Sequence, residues 1–354
     1  MSELKTKLPS LYRRFLPDFI EKEFPEEKWA TCHHCNLCQS QKSPYINTKC
    51  CAYYPHLANY LVGGILQDSR SDFNEGKKRV KQLIEKKLGI TPYGIIPPSG
   101  YTAAKAKSNQ SEREGAMSKE ENDALLCPFF DRGGCTIWDY RENLCSTHFC
   151  ISVGGNTGKE FWDKTNDYLK MAENSLSMYA LHQIGYDPSK LFTDNIKKQK
   201  FSLEKADGTL NKEVYQNIWG DWDGREEEFY VHCYEVVAKL DQYEFEKITG
   251  YKQVILADAL NQLLDQFNKD RIPDLLVINP NSTINTINNN EILLILNDCQ
   301  EPITLIARSY FLKFNGQNTT KEVIDLGFKI ILNLESLIEN WYRKGFLVSP
   351  DSIK

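Results

Sequence analysis

Residues 32–38 read Cys-His-His-Cys-Asn-Leu-Cys, and a side-by-side pair follows at Cys50 and Cys51. A second run, "CPFFDRGGCTIWDYRENLCSTHFC", adds Cys127, Cys135, Cys145 and Cys150. Nine of the eleven cysteines therefore precede residue 151, and only Cys233 and Cys299 stand apart. A Cys-x-x-Cys step lets two thiolates reach one ion while nearby backbone N–H groups donate to the sulfurs. Repeating the step supplies a third sulfur. Three evenly stepped cysteines are unusual in zinc fingers and common around iron–sulfur clusters. Cys32, Cys35, Cys38, Cys50, Cys51, Cys127, Cys135, Cys145 and Cys150 are thus the candidate metal ligands. The expected cofactor is an iron–sulfur cluster or zinc. The cluster is favoured slightly because thiols far outnumber the histidines among them. The plain alternative, buried thiols that merely pack, fits poorly with two consecutive Cys-x-x-Cys steps and a Cys-Cys pair.

How the ligands divide stays open at this stage. Cys32, Cys35 and Cys38 with one of Cys50 or Cys51 make one set of four, and Cys127, Cys135, Cys145 and Cys150 make another. One site drawing on both halves is equally compatible. Adjacent side chains usually diverge, so Cys50 and Cys51 read as a fork, one thiol to a metal and the other to a second site or to packing. Gly133 and Gly134 permit a tight turn before Cys135. Trp138 and Tyr140 are placed to shield a site, and Arg141 to donate to a sulfur or hold a carboxylate. His33, His34, His56 and His148 are expected to be surface or supporting groups rather than ligands. Cys233 shares a helical face with Phe229, Val236, Val237 and Leu240, which points to packing, and Cys299 lies in an expected turn, "NDCQEP". Asp221 and Asp223 read as part of a solvated helix start.

The elements that must position these thiols are mostly helical. The 354-residue chain is long enough for several domains, and its charged fraction of 26% and net charge of −5 suit an ordinary globular protein without electrostatic attraction to nucleic acid or anionic membrane. The N-terminus carries no apolar signal core, and the best apolar run, "EILLIL", is far too short to span a bilayer. A cytoplasmic location with reduced thiols is therefore expected, which again favours metal over disulfides.

Three segments are anticipated: a cysteine-cluster domain over 1–155 with an inserted helix and loop, a helical domain over 156–272, and a winged-helix domain over 273–354. The fold class is mainly α. A helical lead-in is expected around Leu11, Phe15 and Phe19. The spacing of Val80, Leu83, Ile84 and Leu88 predicts a helix stopped by Gly89. Residues 103–123 read as a mobile loop or exposed helix, and "VGGNTG" as a loop. Helices follow over residues 158–185, with Phe161, Thr165, Tyr168, Leu169, Ala172, Leu176 and Tyr179 on one face, and in "EEEFYVHCYEVVAKLDQYEFEKI" and "KQVILADALNQLLDQFNK". "DLLVINP" and "FLV" read as strands. One long amphipathic helix is predicted from Thr319 to Gly345, with Val323, Leu326, Ile330, Leu334, Leu337, Ile338 and Trp341 on one face. No internal repeat occurs.

The quoted cysteine pattern resembles the YkgJ-type cysteine-cluster family, whose members carry a zinc- or iron-chelating Cys-x-x-Cys-x-x-Cys-Cys motif and a later Cys-x-Ile-Tyr-x-x-Arg-Pro-x-x-Cys motif. Cys32, Cys35 and Cys38 match the opening, and Cys135, Ile137, Arg141 and Cys145 the later segment, with Trp138 and Glu142 replacing the Tyr and Pro. The likeness covers residues from about 30 to 150, and it departs where eleven residues separate Cys38 from Cys50. It implies metal binding without naming a reaction. Flagellin lysine-N-methylases are similar in the same pattern, which implies a cluster-dependent enzyme acting on a protein or peptide substrate. Leu275–Val348 resembles a PqqD-type winged helix, which grips leader peptides. Residues 275–354 carry seven Lys/Arg against eight Asp/Glu, so they lack the bias needed to bind phosphates. A zinc-stapled interaction module is the remaining reading. No P-loop, nucleophile elbow, dinucleotide-binding glycine loop or His-Glu-x-x-His motif is present.

Overall fold

The computed structural model describes residues 2–3, 6–30, 35, 38, 43–114, 117–191, 203–205, 208–327, 330–331, 333 and 334–353. The fold is mainly α, and no described helix is long and apolar enough to cross a membrane. The chain forms two compact units: residues 1–24, 32–148 and 162–262 make the first, and 25–31, 149–161 and 263–354 the second. The three anticipated segments thus contribute to two bodies, each assembled from separated stretches.

The first unit is organised round helix Asn59–Gln67, in which every residue from Asn59 to Leu66 is buried. Such a helix has no polar face to show to water, so it must be wrapped on all sides. It packs against helix Glu226–Val237 and helix Asn74–Glu85. Gly63 and Gly64 make this approach feasible. A Cβ at Gly63 would fall 1.9 Å from the Tyr230 carbonyl oxygen, and one at Gly64 2.5 Å from the Tyr140 ring. Helix Glu226–Val237 brings Phe229 and Tyr230 into a cluster with Trp219, Trp222 and Tyr215, and Cys233 is fully buried there, as expected of a packing residue. A small sheet flanks the central helix, with Gly94–Ile95 between Leu57–Ala58 and Ile90–Thr91, both antiparallel.

Helix Asn74–Glu85 forms as the periodicity predicts, burying Val80 and Ile84. Its stop differs in detail. Lys87, at φ 53°, takes the left-handed position, with its N–H on Ile84 and the Leu88 N–H on Leu83. Gly89 is also left-handed, at φ 62°. Lys87 is held there by Asp223 at 2.5 Å and by the face of Tyr215, so Asp223 is a structural partner. The polar insert is helical over Ser99–Arg113 and Lys119–Asp123, the second begun by a Ser118–Glu121 capping box.

The lead-in is not the expected regular helix. It folds as short 3₁₀ turns over Ser10–Arg14 and Asp18–Glu21, with Leu11 and Phe15 buried; the Phe19 side chain lies outside the described residues. Pro9 and Pro17 interrupt the α-helical ladder. Tyr12 is fully buried and donates to Glu173 at 3.1 Å, so the Tyr60 hydroxyl, 2.8 Å away, must donate to Tyr12.

In the second unit, strand Leu275–Ile278 lies between Asn315–Thr319 and Leu347–Val348, so the short "FLV" strand is present and paired. A separate meander joins Thr283–Thr286, Glu291–Leu296 and Cys299–Thr304. Asn297 and Asp298 make its second turn, and Cys299 opens the strand rather than lying in the turn. The long C-terminal helix is corrected to two, Thr320–Gly327 and Leu334–Arg343. Asn333 at φ 61° cannot continue an α-helix, and Leu326 and Ile330 are 54% and 61% exposed instead of sharing the buried face. The "VGGNTG" stretch is also corrected: helix Gly155–Gln183 already begins at Gly155, where the Glu339 carboxylate accepts the Asn156 N–H at 2.9 Å.

Two outcomes follow. Gly63→Ala forces a methyl against backbone and should cost about 1–3 kcal/mol in urea unfolding, whereas Gly100→Ala, in open space, should be neutral or stabilise by up to about 1 kcal/mol. Asp68 supplies a pH-dependent test. Burial alone would raise its carboxyl, but Arg70 and the Tyr140 hydroxyl outweigh that and hold it at about 2. Its folded value lies below the unfolded one, so the stabilisation is present above roughly pH 4 and lost as pH falls through about 2. Asp68→Asn should therefore cost roughly 1–2 kcal/mol at neutral pH and converge with the parent near pH 2, as read by unfolding curves across that range.

Candidate metal centre

The thiols reach their places through loops tied by backbone and side-chain hydrogen bonds. In the segment from Ser43 to Cys51, the hydroxyl of fully buried Thr48 accepts from the Asn122 amide, which also donates to the Pro44 carbonyl at 2.9 Å. Lys49 takes the left-handed conformation, φ 53°, and its ammonium bonds the Gly133 carbonyl at 3.2 Å. The Cys51 N–H then bonds the Thr48 carbonyl at 2.9 Å, and the Cys127 N–H bonds the Cys51 carbonyl at 2.8 Å. This last bond sets the first cysteine run against the second.

Beyond Cys127 the chain makes a hairpin, Phe130–Asp131 with Gly134–Cys135, turned by Arg132 and Gly133 at φ 44° and 87°. The expected glycine turn before Cys135 is therefore real. Arg79 braces it, donating to the carbonyls of Pro128 and Phe130 at 2.8 and 2.7 Å. The Phe129 N–H donates to the Cys127 sulfur at 3.4 Å, and the Ile137 N–H to that of Cys135. Cys145 sits on helix Asn143–Thr147, whose N-cap Glu142 accepts the Cys145 N–H at 3.1 Å.

These ties bring Cys127 and Cys135 within electrostatic reach of both Cys51 and Cys145. Charges on Cys127 and Cys135 are felt at both Cys51 and Cys145. All four thiols are raised. For Cys51 the largest cause is its hydrogen bond with Cys50, then burial. Burial dominates at the others, taking Cys127 to about 12, with Glu142 adding to the effect at Cys145. Cys35 and Cys38 make a separate pair, joined by the Cys38 N–H on the Cys35 carbonyl at 3.0 Å. The Cys38 thiol donates to the Tyr45 carbonyl at 3.2 Å and is raised to about 11 by burial and by Cys35. Cys32 lies outside the described residues, as do His33 and His34, and Cys150 belongs to the second unit. Among the described residues, no three His, Cys, Asp or Glu side chains stand at metal-ligand spacing. The thiols share a region without forming a closed ligand shell.

Several supporting residues act differently from the sequence expectation. The Arg141 charge favours the Cys135 thiolate, while its described hydrogen bonds go to backbone carbonyls. Arg141 bonds the carbonyls of Trp138, Cys145 and Lys7 at 2.9, 3.1 and 3.1 Å, and its guanidinium stacks 3.5 Å from the centre of the Trp138 ring. Trp138 is 50% exposed, and Tyr140 is committed to Asp68 at 2.8 Å. The aromatic groups that sense the thiols are instead Tyr53, Tyr54 and Tyr101: Cys145 bears on Tyr53, and Cys127 on Tyr54 and Tyr101. Tyr53 and Tyr54 follow the cysteine pair after Ala52 and were legible by position, but nothing local marks Tyr101. Glu142, where the related pattern has proline, was legible only as a departure.

No family model, curated protein or solved structure matches the chain.

Cys50 and Cys51 diverge in character. The Cys51 thiol donates to Cys50, and this outweighs burial and, with His148 and Lys49, brings exposed Cys50 down to about 6. Iodoacetamide at pH 7 should therefore alkylate Cys50 of metal-free protein first, at least about ten-fold faster than Cys145, as read by peptide mass spectrometry. Equal labelling would contradict this division.

Proposed function

We propose that the protein chelates a metal through Cys51, Cys127, Cys135 and Cys145, as an iron–sulfur cluster or as zinc. The observation that supports this is the proximity of thiols from separated stretches of chain, Cys51 raised first by its hydrogen bond with Cys50 and the others by burial. A bound cation reverses that balance, because it stabilises the thiolates that burial disfavours. Backbone N–H groups of Phe129 and Ile137 already point at the sulfurs of Cys127 and Cys135, as supports for charged sulfur do. An all-thiol donor set suits both zinc and iron–sulfur. When bound, zinc fastens these loops together, and a cluster adds one-electron chemistry. The chain's own residues hold the loops in place: Asn122 anchors Thr48, Lys49 anchors the hairpin turn, and Glu142 caps the Cys145 helix. The resemblance to YkgJ-type proteins points the same way through Cys135, Ile137, Arg141 and Cys145.

Anaerobic purification followed by elemental analysis and a visible spectrum tests the proposal. Iron with broad visible absorption identifies the cluster, and stoichiometric zinc in a colourless protein identifies zinc. Cys127→Ser and Cys145→Ser should each lose most of the metal, while Cys233→Ser keeps it. Metal-free protein from every preparation, or full retention in both cysteine variants, overturns the assignment.

A further inference from the structure

Beside the thiols, and within the first unit, lies a cavity of about 320 Å³ bordered by the loop from Tyr53 to Ala58, the 142–144 segment and one face of helix Gly155–Gln183. Its charged groups are separated. Glu142 and Glu173 are buried in its wall, at 2% and 6% exposure, with Asn143 between them. The Asn143 amide, its nitrogen turned to the two acids, donates to Glu142 at 2.7 Å and to Glu173 at 2.9 Å. Glu173 also accepts from Tyr12, and Glu142 from the Cys145 N–H. Among the described residues, neither carboxylate has a Lys, Arg or His partner. At the exposed edge stand Lys170 and His56, close enough for the Lys170 charge to disfavour protonation of His56. No described acid pairs with Lys170.

A fully buried hydroxyl adds an independent observation. Ser177 lines the same cavity, and its buried Oγ has no hydrogen-bond partner among the described residues. Lys170, Glu173 and Ser177 follow one another at helical i, i+3 and i+7 spacing, so they form one ladder along a helix face, about 10 Å long. A buried polar group without a partner, and buried carboxylates without a cation, are costly unless something completes them.

We propose that this cavity binds a free amino acid, its ammonium toward Glu142 and Glu173 and its carboxylate toward Lys170. The volume lies at the small end of ligand sites, which run from about 300 to 1,000 Å³, so a single small metabolite fits and a folded partner does not. A cation alone would leave Lys170 unanswered, and an anion alone would meet the two acids. A ligand carrying both charges satisfies both ends and can bond Ser177. The inference is argued from the cavity's own residues and does not rest on the proposed metal site.

Calorimetric titration of the full-length protein with the common L-amino acids tests it, with metal content measured on the same sample so that the two proposals fail separately. At least one amino acid should bind with Kd of about 1 mM or tighter. For the best binder, the decarboxylated amine and the deaminated acid should each bind at least about ten-fold more weakly. Lys170→Met, a change at the exposed edge that should leave the fold intact, should weaken the amino acid about ten-fold and leave the amine unchanged. Glu173→Gln should weaken both, provided circular dichroism shows it folded. No binding by any amino acid at about 10 mM, an amine that binds as tightly as its amino acid, or unchanged affinity in Lys170→Met would each overturn the proposal.

Discussion

The backbone bond from the Cys127 N–H to the Cys51 carbonyl holds these two cysteines side by side. It joins two cysteine-rich stretches separated by a helical insert. Its strength as a single bond is modest, of order 1 kcal/mol net, so its persistence depends on what orders the two strands of chain around it. On one side, Asn122 fastens Thr48 and Pro44. On the other, Arg79 clasps the carbonyls of Pro128 and Phe130 and pairs with Asp131. Arg79 projects from helix Asn74–Glu85, which in turn packs against the buried helix Asn59–Gln67. The thiols are thus positioned from the core outward, and the two glycines that let the central helix seat itself matter to a site whose residues they do not touch.

Residue types at the site were more legible than their grouping. The cysteines announce themselves by spacing, but their grouping stays open in the sequence, and what the fold adds is that Cys51 lies near Cys127 and Cys135. Cys51 joins the later run because a backbone bond carries it there, and such bonds leave no trace in side-chain identity. The same limit explains the aromatic groups. Trp138 and Tyr140 are near Cys135 and Cys145 in sequence, but Arg141 and Asp68 engage them, while Tyr101 arrives from a helix beyond the pair.

Elements were legible where one periodicity dominated. Val80 and Ile84 repeat on an otherwise charged helix, so its buried face could be read directly. The C-terminal helix misleads for the opposite reason. Its apolar spacing runs on past Gly327, but Leu334 and Tyr310 crowd the space beside that glycine, and Asn333 turns left-handed before the second helix starts. The pattern continues across a break in the backbone. Strands of two residues, such as Leu57–Ala58 and Gly94–Ile95, are too short to show any period and are set wholly by what they pack against.

Glu142 links the features of the first unit that bear on chemistry. Its carboxylate caps the helix that carries Cys145, contacts that residue's thiol, and lines the cavity that also holds Glu173. Burial is the main reason its carboxyl is raised, and Glu142 in turn raises Cys145 and Glu173. Thiols and acids here form one region in which burial disfavours negative charge. Adding a cation on either side of Glu142 therefore eases ionisation on the other, because each anion pays less when its neighbour is neutralised. The proposed metal and the proposed ammonium are chemically different, yet both would act on the same side chain, Glu142.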